Sequence, residues 1–433
     1  MRSPFRLVFF SVLFGLLAWF GMEIRKPPIV STLIWPAGGV LLGVLMLSER
    51  RYWPRWLVIT AVLHTVIGVL AGRTLVEALI FPVSQLVVAP LMAALWRRQV
   101  AGPRTLTDLH SLLWFLGVLI AGSLLGSGII NALFALAGAS LAPGNWSTEV
   151  ISSIVGGLIG VPVILSWMNW TAQRSGGATG SEFWRGLLWF ALLAASTVLV
   201  FDAPVALAVL DSTRYELSYL PIIFLVLLAM QWDKRGLSFA LLVLASIAMF
   251  NTLAGEGPFV TPGEPLRTAL LEVQVYLGAA ALLGLLMAAI TDGRNRALRQ
   301  AAAMKVRFEA ALACSQHLAY EFDPANGRIL WGGDINALLG LPAEALAHQS
   351  QFFERIHPDD REQVAALVQI YTSRKHPDEM APHTRRFRFL CGDGQYRDVV
   401  DTGAALPGLD DDVYRVSGLV QVLPSEGESV QGS

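Results

Sequence analysis

The chain has 433 residues, a formal net charge of -1, 54% hydrophobic residues and only 15% charged ones. Soluble domains carry about 25% charged residues, so a uniformly soluble protein is excluded, and the near-zero net charge gives no reason to expect a nucleic-acid partner. Two cysteines, Cys314 and Cys391, are too few and too unpatterned for a disulfide framework or a zinc site.

In chain order, apolar segments come first. About 20 apolar residues cross a bilayer as a helix, and ten segments of this kind occupy roughly residues 5–22, 30–48, 56–72, 75–96, 110–138, 149–171, 183–201, 217–232, 236–254 and 267–291. The first could pass for a signal peptide, but no small-residue cleavage pattern follows it, so it is read as a span. With the N-terminus cytoplasmic, the inner segments hold seventeen Lys and Arg residues and the outer loops five (Arg25, Lys26, Arg73, Arg214 and Arg267). That asymmetry predicts ten spans with both termini cytoplasmic. The longest outer loop, about 202–216, is too short for a folded ligand-binding domain, so any stimulus is expected among the helices or in the lipid bilayer.

Polar side chains within apolar spans are expensive and therefore informative. His64 and Gln85 fall mid-span, and Gln85 lies between Pro82 and Pro90, which predicts a kink. Trp35, Asn131, Glu272 and Gln274 fall nearer the outer ends. Together these six residues form a candidate pocket for a small-molecule or lipid ligand. The same groups serve equally well as hydrogen-bonding glue between helices, and both readings stand at this point. Gly156, Gly157 and Gly160, like Gly122 and Gly126, point to close helix packing. A transporter is the main rival class. It is expected to show internal repeats and mid-depth carboxylates, neither of which is evident here.

Several words in this half carry a resemblance. Ile34-Trp35-Pro36-Ala37-Gly38-Gly39-Val40, then Arg50-Arg51-Tyr52-Trp53-Pro54, Thr74-Leu75-Val76-Glu77-Ala78-Leu79 and Arg97-Arg98 are followed by the run from Gly156-Gly157 through Pro162 to Trp167. This series resembles the membrane-associated sensor (MASE-type) domain of bacterial signalling proteins, over roughly residues 7–291. The resemblance implies a sensory role ahead of a kinase or an enzyme of cyclic di-GMP turnover. One departure is that relatives tend to carry Trp and Asp just before the glycine run, where this chain has Ile151-Ser152-Ser153-Ile154. If that pair touches a ligand, this chain binds a different one.

Residues 292–315 read as a helix continuing from the last span, with Leu298, Ala301, Met304, Phe308 and Ala311 at three- and four-residue spacing. This linker could pair two copies of the chain as a short coil or pack on the next domain. From His317 the pattern becomes α+β. Two strands (317–324 and 328–331) meet at an Asp-Pro-Ala-Asn-Gly turn, and a short helix closes at Gly340. A longer helix starts at His357-Pro358-Asp359-Asp360, with Asp359 and Glu362 as a capping-box variant. Strands 384–390, 395–402 and 413–423 complete the set.

Leu338-Leu339-Gly340, the His-Pro-Asp-Asp-Arg run, Phe387-Arg388-Phe389 with Asp393-Gly394-Gln395-Tyr396-Arg397, and Val416-Ser417-Gly418 strongly resemble a PAS domain. The resemblance implies a five-stranded antiparallel sheet whose inner face takes small molecules, and it makes His357 a helix-entry residue with no catalytic part. No flavin-type reactive cysteine motif is present, and His348 is a poor haem ligand candidate, so no cofactor is expected.

The expected division is a polytopic α-helical membrane sensor domain at 1–291, a helical linker at 292–307, a PAS domain at 308–424 and a disordered tail at 425–433. No cyclase, phosphodiesterase or kinase motif is seen, so the chain is expected to be a non-enzymatic relay in the bacterial inner membrane. It would act on a separate kinase, cyclase or phosphodiesterase. The alternatives are a transporter with a regulatory tail, or a degenerate relative of a diguanylate cyclase or histidine kinase.

Overall fold

The structure is a computed structural model that describes residues 4–23, 35–99, 106, 108–138, 145–168, 180–210, 217–315, 317–372, 382–407 and 414–423. The chain divides into two compact units, Met1–Arg296 and Ala297–Ser433.

The first unit is helical: α1 (Pro4–Glu23), α2 (Pro36–Leu47), α3 (Trp53–Leu70), α4 (Leu75–Gln99), α5 (Leu109–Leu136), α6 (Asn145–Met168), α7 (Gly180–Phe201), α8 (Ala203–Leu210), α9 (Leu220–Gln231), α10 (Lys234–Leu253) and the part of α11 (Leu266–Ser315) up to Arg296. Each of the ten apolar segments holds a helix among its described residues. Among the described residues seven helices are long and apolar enough to cross a membrane, and three are shorter: 7–22 within α1, α2 and α9. The count of ten is therefore approximate. Twelve residues of α2 or α9 rise only about 18 Å as a helix, well short of the hydrocarbon thickness. The predicted outer loop at 202–216 contains α8, and its residues 211–216 lie outside the described set, as do the tail after 423 and Arg25, Lys26 and Arg214 of the charge count.

The family words turn out to be joints. Trp53 Nε1 donates to the Leu45 carbonyl at 3.0 Å, and the Arg97 guanidinium donates to the carbonyls of Met46, at 3.0 and 3.2 Å, and Ser48. A cation on the last carbonyls of α2 satisfies acceptors that the helix itself leaves open. Thr74 and Glu77 form a reciprocal capping box at the start of α4, with the Thr74 amide donating to Glu77 Oε2 at 3.0 Å and the Glu77 amide donating to Thr74 Oγ1 at 3.3 Å. α2 and α6 touch backbone to backbone. A Cβ on Gly39 would collide with the Gly156 carbonyl, and one on Gly160 would lie 3.0 Å from the Gly39 Cα. α6 is the most enclosed span, with 67% of it buried inside the unit, against 28% for α7.

The second unit holds β1 (His317–Asp323), β2 (Arg328–Gly332), α12 (Ile335–Leu339), α13 (Gln349–Glu354), α14 (Arg361–Thr372), β3 (His383–Leu390), β4 (Tyr396–Pro407) and β5 (Tyr414–Val422). All pairings are antiparallel, in the order β2-β1-β5-β4-β3. Alternation along the strands turns Leu318, Phe387, Phe389, Val399 and Val420 to one face, where they pack with Leu339, Leu346 and Ile356. α12 ends as predicted at Gly340, in a left-handed conformation with φ 66°. The entry to α14 differs from expectation. His357 Nδ1 accepts from the Asp359 amide at 3.4 Å, and the two aspartates face Arg388 on β3.

Candidate functional site

The site begins where α3 stops. Gly72 takes the left-handed conformation (φ 84°), its amide donates to the Val69 carbonyl, and the Arg73 amide donates to the Gly68 carbonyl. This paired closure ends the helix and reverses the chain. α4 follows after a connection of only four residues, 71–74, and Arg73 within it is only 7% exposed. Its guanidinium lies 4.2 Å over the Phe81 ring. Beyond Phe81 come His64, at 6.0 Å between centroids, and Trp35, at 4.7 Å from His64. The result is a column of Arg73, Phe81, His64 and Trp35 contributed by the α3–α4 turn, α4, α3 and the N-terminal cap of α2. Gln85, one helical turn after Phe81, places Oε1 3.2 Å from His64 Nδ1, the contact of a ring N–H donating to an amide oxygen.

α5 and α6 provide the opposite wall. Glu149, 9% exposed, accepts from Ser127 Oγ at 3.2 Å, and Ser84 Oγ on α4 donates to the Gly126 carbonyl at 3.0 Å. Small residues keep the space open: Gly38, Gly126 and Ser152 line it, together with apolar Leu42, Val88 and Met92. The volume is about 880 Å³ including its mouth. Arg73, Glu149, His64 and Gln85 all line it, so a cation, an anion and two hydrogen-bonding groups converge within an otherwise apolar bundle.

Of the six predicted residues, the structure brings Trp35, His64 and Gln85 together in this pocket. Asn131 stands one turn along α5 from Ser127 and donates to the Ser127 carbonyl at 2.8 Å. Glu272 and Gln274 lie on α11, the first exposed and the second fully buried, and neither lines this space. Sequence reasoning missed Arg73, Glu149 and the serines. The sequence makes Arg73 a loop cation, yet a connection as short as the four residues 71–74 keeps its side chain close to the helices. Glu149 stood at the edge of its predicted span.

The second unit has a smaller cavity against the inner sheet face, about 510 Å³ including its open mouth, lined by Tyr320, Trp331, Phe352, Phe353 and Asp401 among others. Burial pushes the Asp401 carboxyl up to about 6, and Tyr320 OH donates weakly to its Oδ2 at 3.4 Å. Asp401 Oδ1 is buried with no hydrogen-bond partner. Asp360, in contrast, is held down at about 2 by hydrogen bonds from Arg388. His348 is exposed beside Gly327, Cys314 is exposed and Cys391 buried. Among the described residues no three His, Cys, Asp or Glu side chains are grouped to hold a metal ion.

No curated protein matches this chain. Solved structures similar to it include the N-terminal domain of a diguanylate cyclase with PAS/PAC sensor from Marinobacter aquaeolei, at 20% identity, 24% of this chain, 94% of that one and TM-score 0.22. A sensory box histidine kinase/response regulator from Burkholderia thailandensis E264 is 21% identical over 27% of this chain and 84% of that one, with TM-score 0.22. The PAS domain of an HTR-like protein from Haloarcula marismortui is 18% identical over 30% of this chain and 99% of that one, with TM-score 0.24. A PAS-fold family model matches residues 328–420, and the MASE1 family model matches residues 6–295. With two-thirds of its length matched and a bundle of apolar helices ahead of a five-stranded sheet, the chain belongs to the MASE1 family, as a multi-pass membrane sensor domain joined to a PAS fold.

Proposed function

We propose that this protein is a bacterial inner-membrane receptor whose helical pocket takes a small ligand and whose PAS domain passes the occupied or empty state to a separate cytoplasmic partner. The partner would be a kinase, a cyclase or a phosphodiesterase. The observation that carries the reading is the gathering of Arg73, Glu149, His64 and Gln85 around one space in an apolar bundle, because ionisable groups at such positions are costly and mark functional sites. The chain acts as a relay without its own catalysis, divided at about residues 291 and 307, and its termini are cytoplasmic. The seventeen-to-five excess of Lys and Arg on the inner side supports that orientation. Leu298, Met304 and Phe308 are exposed along α11, which supports pairing of two copies through this helix.

The reading is tested by thiol labelling. Cys314 is exposed and Cys391 buried, so a membrane-impermeant maleimide reports one site. It should react in inverted vesicles and stay silent in intact spheroplasts. Labelling in intact spheroplasts would place this segment on the wrong side and remove the route to a cytoplasmic partner. A second reading draws on the same charges and on the two prolines inside α4, since ionisable groups buried among spans also serve transporters. Solute uptake by proteoliposomes that His64→Ala abolishes would favour it.

A further inference from the structure

We infer that the ligand of the helical pocket is a small free zwitterion, an α-amino acid with an apolar side chain, its carboxylate held by Arg73 and its ammonium by Glu149. This rests on the receptor reading and deepens it.

The charge pattern decides the class. Arg73 and Glu149 are each less than a tenth exposed and line one space. A monocarboxylate would bring a second negative charge towards Glu149, and a simple amine a second positive charge towards Arg73. At the low effective dielectric of a helical bundle such like-charge approaches cost several times what they cost in water. A wholly apolar guest would bring nothing of its own to face either charged group. A guest with both ends keeps the pocket neutral and sets an opposite charge against each of its ionic groups.

The geometry is built for this. The Arg73 guanidinium carbon lies 4.2 Å from the centroid of the Phe81 ring, and a guanidinium carries a planar fork of N–H donors that suits a carboxylate with two bonds. Glu149 is fixed from behind by Ser127 Oγ. Two further observations point to a polar guest independently of the charges. Ser123 and Ser152 are 6% and 1% exposed, their hydroxyls have no hydrogen-bond partner, and both line the pocket. Buried hydroxyls are normally satisfied, and a bound carboxylate or ammonium would satisfy them. An ion pair present only to hold helices together would explain neither. The rest of the lining, Leu42, Val88, Met92 and Leu119, suits an apolar side chain.

The experiment uses the full chain in phosphatidylglycerol nanodiscs, titrated calorimetrically with L-alanine, L-valine, L-leucine, L-isoleucine, L-methionine and L-phenylalanine. At least one should bind saturably. For that amino acid, the analogue lacking the amine and the analogue lacking the carboxylate should each bind at least about tenfold more weakly, the loss expected when a charged hydrogen-bonding partner is removed. Arg73→Gln and Glu149→Gln should each weaken binding by a similar factor. If either variant fails to fold, Ser123→Ala and Ser152→Ala carry the test, each with an expected loss of about threefold. The proposal is overturned if none of the six binds, if either analogue binds as well as its parent, or if binding survives these substitutions unchanged. It is also overturned if phosphatidylethanolamine nanodiscs abolish the response, since the occupant would then be a lipid headgroup. None of these failures touches the Cys314 labelling result, so loss of this proposal and loss of the receptor reading are separable.

Discussion

Polar groups are handled in opposite ways in the two units. In the PAS unit, charges pair across the water-facing surface: Arg388 with Asp359 and Asp360, Arg386 with Asp398, Arg397 with Asp393 and Arg415 with Glu321. Such pairs are screened and individually weak, and their number says little about function. In the membrane unit most hydroxyls and amides bond their own helix one turn back, as Thr60, Thr197, Asn251 and Thr252 do. Against that background the departures stand out: several gather around Arg73 and Glu149, while others, Gln274 and Tyr276 on α11 and Trp96 on α4, bury polar side-chain atoms elsewhere in the bundle. Clustered polarity is therefore informative in the solvent that penalises it and nearly silent in the solvent that tolerates it.

The largest effect should come from the dry seam. Gly156→Leu forces a side chain into the carbonyl of Trp35, where backbone cannot yield as a side chain would. The cost should be about 3 kcal/mol or more, at the top of the range for overpacking. Thermal unfolding in detergent would check it, and a wild-type melting temperature would show that the α2–α6 contact is looser than described.

Next is a substitution of opposite sign in the PAS cavity. Asp401 is raised to about 6 by burial, against an unfolded value near 3.8. A raised carboxyl favours the folded state below the lower value, and that contribution is lost as pH rises through about 6. Asp401→Asn should therefore stabilise the PAS unit above pH 7 by up to about 3 kcal/mol and change little at pH 4. Stability measured against pH on the full chain should show the two curves diverging across that window. Parallel curves would mean that Asp401 is solvated.

Gln85→Leu removes the partner of His64 and should cost about 1 kcal/mol, the scale of hydrogen bonds within helical membrane bundles. Retained stability with lost ligand response would sharpen the contrast further, since it would separate function from glue. The smallest effect should be Arg388→Ala. Asp360 is depressed to about 2 by its bonds to Arg388, so the pairing helps above pH 3.8 and fades as pH falls through about 2. The variant should unfold at slightly higher pH during acid titration, and added salt should shrink the difference from wild type.

How much was legible follows the same division. Four of the five PAS strands are readable to within a residue because alternation and turn chemistry are local: Asp323 to Gly327 turns where its residues suit a turn, and Gly340 closes α12, whereas β4 runs on to Pro407, five residues past its predicted end. The apolar helices were equally visible, but their lengths were not. Hydropathy runs on past the end of a helix, as it does at α2, and it concealed α8 inside a presumed loop. The pocket was half legible. His64 and Gln85 announced themselves as polar residues in apolar runs, whereas Arg73 and Glu149 looked like ordinary termini. Which termini fold inward is decided by chain reversal at Gly72 and by helix packing, neither of which a one-dimensional pattern encodes. Asn131, Glu272 and Gln274 matched the same polar-in-apolar rule as His64, and only tertiary structure could separate them from it.

The two prolines of α4 have one more consequence. Neither Pro82 nor Pro90 can return an N–H to the carbonyl a turn earlier, so the ladder lacks a rung on each side of Gln85. α2 and α6 meet through bare backbone, whereas α4 faces them with two carbonyls that its own prolines leave unbonded. Its near end begins beside Arg73, and its far end carries Arg97 on the last carbonyls of α2, so one helix joins the wall of the pocket to the end of α2.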